Sequence, residues 1–312
     1  MNSNIKVLTG LFAVQLVFVI WALTAPLGDD ATVNKGWLTF EPATVSRVVI
    51  DTGTDELELV RADTGWWVAD VAADDAKVEG FLEQLAELDA QWPVATSRAS
   101  AQRFEVDADN FQRRVRLTAV DGGSTEFYLG TSPGFQRVHA RQAGEDEIHS
   151  VALSNYEVSA EVDNWMDKAV LAQPIAPTLV EVRQPLPNGE EQLNRLEQTA
   201  TGWLFNGAQA NADEAATYVN RFTTLRVLGQ VPQATQDATE QARVTFDGPA
   251  GAQTWVLLRT GAEGDYRLRS APDAAVSYRL ADYLAEQLLM ADADFSLQDS
   301  GHTESAEQTG EL

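Results

Sequence analysis

Two stretches of this chain, ADTGWWVADVAADDAKVEGFLEQL (62–85) and TATGWLFNGAQANADEAATYVNRF (199–222), repeat one order of events: a Gly-Trp turn, a short strand, a cap and an amphipathic run. A recurring order of this kind implies a folding unit copied within the chain, so it limits the possible folds more than any single motif does. Aligning Gly65-Trp66 with Gly202-Trp203 sets Val78, Phe81, Leu82, Leu85 and Leu88 against Ala215, Tyr218, Val219, Phe222 and Leu225. Those spacings keep one stripe of an α-helix apolar. Asp74 and Asn211 fall at matching N-cap positions, and Glu214 stands three residues after Asn211 as in a capping box. Each helix is expected to end at a proline-marked segment, QWPVA (91–95) or GQVPQA (229–234).

The flanks repeat too. VSRVVI and ELELVR read as strands, with LVEVRQ and QLNRLEQ as their counterparts. Downstream, RVRLTAV, TEFYLG, RVHAR and EIHSVA match ARVTF, TWVLLR, YRLRS and AVSYRL, with DGG and DGPAG as turns. A helical stretch is expected to close each copy, after Leu153 and after Leu280. The expected fold class is α+β: an N-terminal transmembrane helix, then two duplicated, mainly antiparallel sheet-plus-helix modules. The joint is expected in LAQPIAPT (171–178), where two prolines disfavour regular structure. Trp66 and Trp203 are expected as core anchors delivered by the turn, while Trp67 alternates to the other face.

IKVLTGLFAVQLVFVIWALTA (5–25) is apolar enough and, at about 1.5 Å per residue, long enough to cross a bilayer core as a helix. Leu23 and Pro26 disfavour cleavage after Ala25, so the expectation is an uncleaved anchor. Lys6 before it and Asp29 and Asp30 after it orient the N-terminus to the cytoplasm and the bulk of the chain to the periplasm, at the bacterial inner membrane. Gln15 is a candidate for a hydrogen bond to another span. The expected organisation is therefore cytoplasmic N-terminus and anchor at 1–26, tether at 27–43, modules at 44–172 and 173–298, and an acidic disordered tail at 299–312. Trp37, Leu38 and Phe40 suggest that the end of the tether docks onto the first module.

Charge and residue types narrow the function. A formal charge of −25 repels a phosphate backbone, so nucleic acid is not expected as a partner. The absence of cysteine rules out disulfides, thiol catalysis and thiolate metal sites. His139 and His149 lie on neighbouring strands with Glu145, Asp146 and Glu147 between them, a conceivable metal set without a third defined ligand. The second copy has Leu268 and Ser277 nearby instead, and strand histidines in ordinary surroundings are the expectation. His302 belongs to the tail. No G-x-S-x-G, S-x-x-K or phosphate loop occurs, and the carboxylates fall in turns, caps and helix surfaces. No catalytic, cofactor or metal residue is therefore assigned, and no enzymatic activity is expected.

YLGTSPGFQRVHAR (128–141), LSNYEVSAEVDNWMDKAVL (153–171) and the doubled module resemble the bacterial domain of unknown function 4340 family, over roughly 44–297. The resemblance implies a single-span envelope protein encoded beside ABC transporter components of the gliding-motility type. Those are an ATPase, a permease and a large extracytoplasmic subunit. It implies no catalytic residues. The expected function is an accessory or assembly subunit of such a transporter, partnered by the membrane, the permease and the large subunit. The alternative is a periplasmic solute- or glycan-binding module, with the arginines of GFQRVHAR available to an anion.

Overall fold

The computed structural model describes residues 36–90, 92–232, 238–248, 251–261, 264–290 and 295. The first sheet opens with β1 (Val45–Asp51), β2 (Glu56–Ala62), β3 (Gly65–Val68) and β4 (Val71–Ala72), followed by helix α1 (Asp75–Ala86). An insertion follows, made of α2 (Arg98–Arg103) and a separate hairpin of β5 (Val106–Asp107) and β6 (Asn110–Phe111). Strands β7 (Arg113–Ala119), β8 (Ser124–Leu129), β9 (Val138–Gln142) and β10 (His149–Val151) complete the sheet, and α3 (Val162–Trp165) is a single turn. The strand order is β4-β3-β2-β1-β7-β8-β9-β10, and every pairing is antiparallel.

The second sheet repeats the scheme. Strands β11 (Leu179–Pro185), β12 (Glu191–Thr199), β13 (Gly202–Phe205) and β14 (Ala208–Gln209) lead to helix α4 (Ala212–Thr224). Then come β15 (Gly229–Pro232), β16 (Ala238–Gly248), β17 (Gly251–Thr260), β18 (Tyr266–Arg269), β19 (Val276–Leu280) and helix α5 (Asp282–Leu288). The order is β14-β13-β12-β11-β16-β17-β18-β19-β15. Substituting β11 for β1 and β16 for β7 makes the two orders coincide, except that β15 adds one strand at the far edge. A vestige of that strand exists in the first module, where Ala95 forms an isolated bridge to Ile148 beside β10.

The expected α+β class is corrected by these elements. Antiparallel sheet dominates, and the longest helix among the described residues has 13 residues. No helix among those residues is long and apolar enough to cross a membrane. The stretch 5–25 assigned as an anchor, the first part of the tether and the acidic tail with His302 lie outside the described residues. The helix expected after Leu153 shrinks to the turn Val162–Trp165. Short polar side chains there bond locally, with Asn164 Nδ2 donating to Ser159 Oγ at 2.8 Å, which competes with continued helix.

The Gly-Trp turn has a physical cause in both copies. Gly65 and Gly202 sit at φ +121° and +124°, where an L side chain is strained. A Cβ on Gly65 would lie 2.6 Å from the Asp75 carboxylate, which accepts the Trp66 N–H at 2.6 Å. Trp66 is thereby turned inward to 1% exposure, and Trp203 to 8%. Asp74 and Asn211 cap α1 and α4 as expected, accepting from Lys77 N–H and from Asp213 and Glu214 N–H. The Asn211 N–H, which a capping box would give to Glu214, goes instead to the Phe295 carbonyl at 3.1 Å.

Each long helix covers one face of its sheet, and buried residues of both modules form one apolar cluster. Phe222 stacks on Trp255 at 5.3 Å and meets Phe246 edge-on at 4.9 Å. Burying an aromatic side chain removes about 150–250 Å² from water, worth about 4–6 kcal/mol before entropy is charged. Trp37 and Leu38 join the first core, at 8% and 3% exposure, and Trp37 N–H donates to the Leu88 carbonyl. At the joint, Asp163 accepts from Gln230 N–H at 2.8 Å and pairs with Arg279 at 2.5 Å. Its carboxylate occupies the space a Cβ at position 229 would need, which is why glycine stands there. Lys168 Nζ donates to the Leu228 carbonyl at 2.6 Å, and Gln173 N–H to that of Phe222 at 2.7 Å.

Candidate interaction surfaces

The pairing of β9 with β10 settles the geometry of the two histidines. His139 stands opposite Ser150 and His149 opposite Ala140, so consecutive pleat positions send the imidazoles to opposite faces. His139 stacks on Phe104 at 4.1 Å beneath the insertion and shares a 2.9 Å hydrogen bond with Thr131 Oγ1. His149 faces the main core near Trp37, with Glu147 at 3.4 Å. The structure does not bring the two together. Among the described residues there is no group of three or more His, Asp or Glu that could hold a metal ion.

Ionisable groups with displaced pKa values are engaged in structural contacts. Burial pushes Glu126 up, but hydrogen bonds from Arg116 and Tyr128 outweigh it and hold the carboxyl below its ordinary range. Burial and the bond to Glu126 raise Tyr128. Burial lowers His139, with the Thr131 bond offsetting part of that, and burial lowers Lys168 against the pull of Asp163. The arginines of GFQRVHAR are also committed. Arg141 donates to the carbonyls of Val106 and Glu145, at 2.7 and 2.8 Å, and lies over Tyr128. Arg137 donates to Ser150 Oγ at 2.8 Å and to the Ser150 carbonyl. They do not converge on a shared anion pocket.

Two of the surface depressions of the first module bear on a contact role. A cavity of about 520 Å³ lies at the strand ends, where Val60, Trp67 and Ala160 meet Glu56, Glu58 and Asp70. Trp67 is 39% exposed there, on the face opposite Trp66. The cavity borders the β3–β4 turn, where Ala69 and Asp70 hold φ of 43° and 66°. The matching turn in the second module is Asn206-Gly207, at 49° and 84°. Asn and Gly are the ordinary residues of such a turn, and alanine is not.

The second depression, about 460 Å³, lies between α1 with the residues after it and Arg137 and Ala152, which flank the β9–β10 pair. Glu83, Glu87 and Asp89 line it together with Leu88, Arg137 and Ala152. Three exposed aromatic residues stand close in sequence to residues of this lining, without lining it themselves. Trp92 follows Asp89, Phe135 precedes Arg137 and Tyr156 follows Ala152, each within four residues. Their exposures are 90%, 90% and 95%. Side chains of this size are ordinarily buried or half-buried in a monomer, so their exposure marks them as candidate contact residues. Sequence reasoning had not singled them out. The legible signal was each aromatic's setting among turn formers, in QWPVA, TSPGFQ and LSNYEV.

A protein-family model described as domain of unknown function (DUF4340) matches residues 68–249. The chain belongs to this family. The match runs from the end of β3 to the residue after β16, so the DUF4340 unit spans the joint and draws on both modules. No curated protein and no solved structure matches the chain. Membership brings no activity, since the family's own description assigns none.

Proposed function

We propose that this DUF4340 protein is a non-enzymatic docking subunit, an accessory or assembly component of an ABC-type transporter system on the outer side of the inner membrane. The observation that carries the docking role is the exposure of Trp92, Phe135 and Tyr156, each at least 90% exposed, in three connecting segments of the first module. Aromatic side chains dominate binding energy where proteins meet, at about 2 kcal/mol or more for each central residue. The transporter assignment rests on the family resemblance alone. Duplication supports a docking role as well, because it supplies two sheet surfaces on one chain while the displaced ionisable groups serve the fold.

A solute-binding reading would be favoured by a deep pocket between the modules lined by arginine and aromatics. The depressions described here draw their walls from one module each, and Arg137 and Arg141 are turned to backbone carbonyls. Extraction of native membranes in a mild detergent tests the docking reading. The expected result is co-isolation with a permease-type membrane protein, and recovery as a lone monomer under those conditions contradicts it.

A further inference from the structure

The duplication shows what belongs beside β10. In the second module the corresponding edge strand, β19, is covered by β15 through four consecutive pairs, Gly229 to Arg279 through Pro232 to Val276. In the first module the equivalent segment touches the edge only at the Ala95–Ile148 bridge, with Val94 N–H on the Ile148 carbonyl. The rest of β10 lacks that cover. On the other side of the sheet, His139 donates to the Thr131 carbonyl and accepts from Gly130 N–H. Val138 and Ala140 therefore bond β10 through Val151 and His149, and alternation turns the N–H and C=O of Ser150 outward. Arg137 reaches across to the Ser150 carbonyl, but a carbonyl oxygen has two lone pairs, so the edge stays open to a donor.

The charge beside this edge is one-sided. Glu83, Glu87 and Asp89 face the groove, and its one lining cation, Arg137, is bound to Ser150. We propose that the groove receives an extended, basic segment of a partner protein. The segment adds as a strand outside β10, as β15 does outside β19, with its cations toward Glu83, Glu87 and Asp89 and an apolar side chain toward Leu88 and Ala152. Main-chain bonds to Ser150 supply affinity, and the carboxylates supply selectivity. This inference rests on the docking reading above and names the chemistry of the element recognised.

The test uses the full chain and a decapeptide of alternating lysine and valine, with a glutamate–valine decapeptide as control, read by Trp fluorescence and by amide exchange. The lysine peptide is expected to bind and to slow exchange of the Ser150 amide, whereas the glutamate peptide does neither. The double variant Glu83→Lys/Glu87→Lys and, separately, Ser150→Pro should each weaken binding by about tenfold or more. Proline at an edge position loses the outward N–H and the hydroxyl that accepts from Arg137 but leaves the pairing of His149 and Val151 with β9 in place, so the fold should survive. Binding that is unaffected by Ser150→Pro, or that leaves the Ser150 amide unprotected, overturns the proposal, as does no binding at all. If Ser150→Pro still co-isolates with its membrane partner as well as the parent does, the groove inference falls while the docking reading stands.

Discussion

Replacing Ala69 by Asn should stabilise the first module by about 1–2 kcal/mol, a magnitude that follows from the duplicate turn. Ala69 at φ 43° is held in the left-handed region, which costs an ordinary L residue about 1–2 kcal/mol and costs Asn less. The duplicate also supplies a hydrogen bond. Asn206 Oδ1 accepts the Arg195 N–H at 2.9 Å, and the registers equate Arg195 with Glu58, because Leu196 pairs with Phe205 as Leu59 pairs with Val68. An Asn at 69 is thus placed to accept the Glu58 N–H, adding about 0.5–1.5 kcal/mol. The reciprocal variant, Asn206→Ala, should destabilise by about 1.5–3 kcal/mol, since it introduces the strain and removes the acceptor. Urea unfolding of both variants beside the parent, followed by far-UV circular dichroism, measures the difference. An Ala69→Asn protein no more stable than the parent would refute the equivalence of the two turns.

Two further outcomes follow from the packing and from the pKa directions. Trp66→Ala should cost about 3–5 kcal/mol while Trp67→Ala costs less than about 1 kcal/mol, because one indole is buried and the other lies open in the strand-end cavity; chemical denaturation of the pair checks this. His139 has a folded pKa below its ordinary 6.5, so the unfolded chain takes up the proton first. Stability should then fall as pH drops below about 6.5 and level off under the folded value, and the slope should vanish in His139→Phe. Glu126, whose pKa is also lowered, contributes stability that is lost only at lower pH, below the ordinary 4.5, so unfolding measured at pH 7.5 and 5.5 isolates the histidine.

Much of the scaffold was legible because periodicity and capping are local. The alternation in VSRVVI and ELELVR placed β1 and β2, and the recurring Gly-Trp placed the turn whose positive φ only glycine takes easily. The balance of sheet to helix was misjudged, since an apolar residue such as Val158 or Trp165 reads alike in a helix and in a buried loop. Its burial depends on partners distant in sequence, as when Phe81 meets Trp165 at 5.2 Å. The groove beside β10 was beyond reach for the same reason. Whether Trp92 points inward or outward depends on how far its segment pairs with β10, and the copy in the second module pairs further.

The most direct test of the docking account is photocrosslinking in native membranes from single positions. A photoreactive amino acid at position 92 or 135 should capture a neighbouring protein, while the same group at position 273, an exposed turn of the second module, should capture none. Crosslinks of equal yield from all three positions, or none from 92 and 135, would contradict the account.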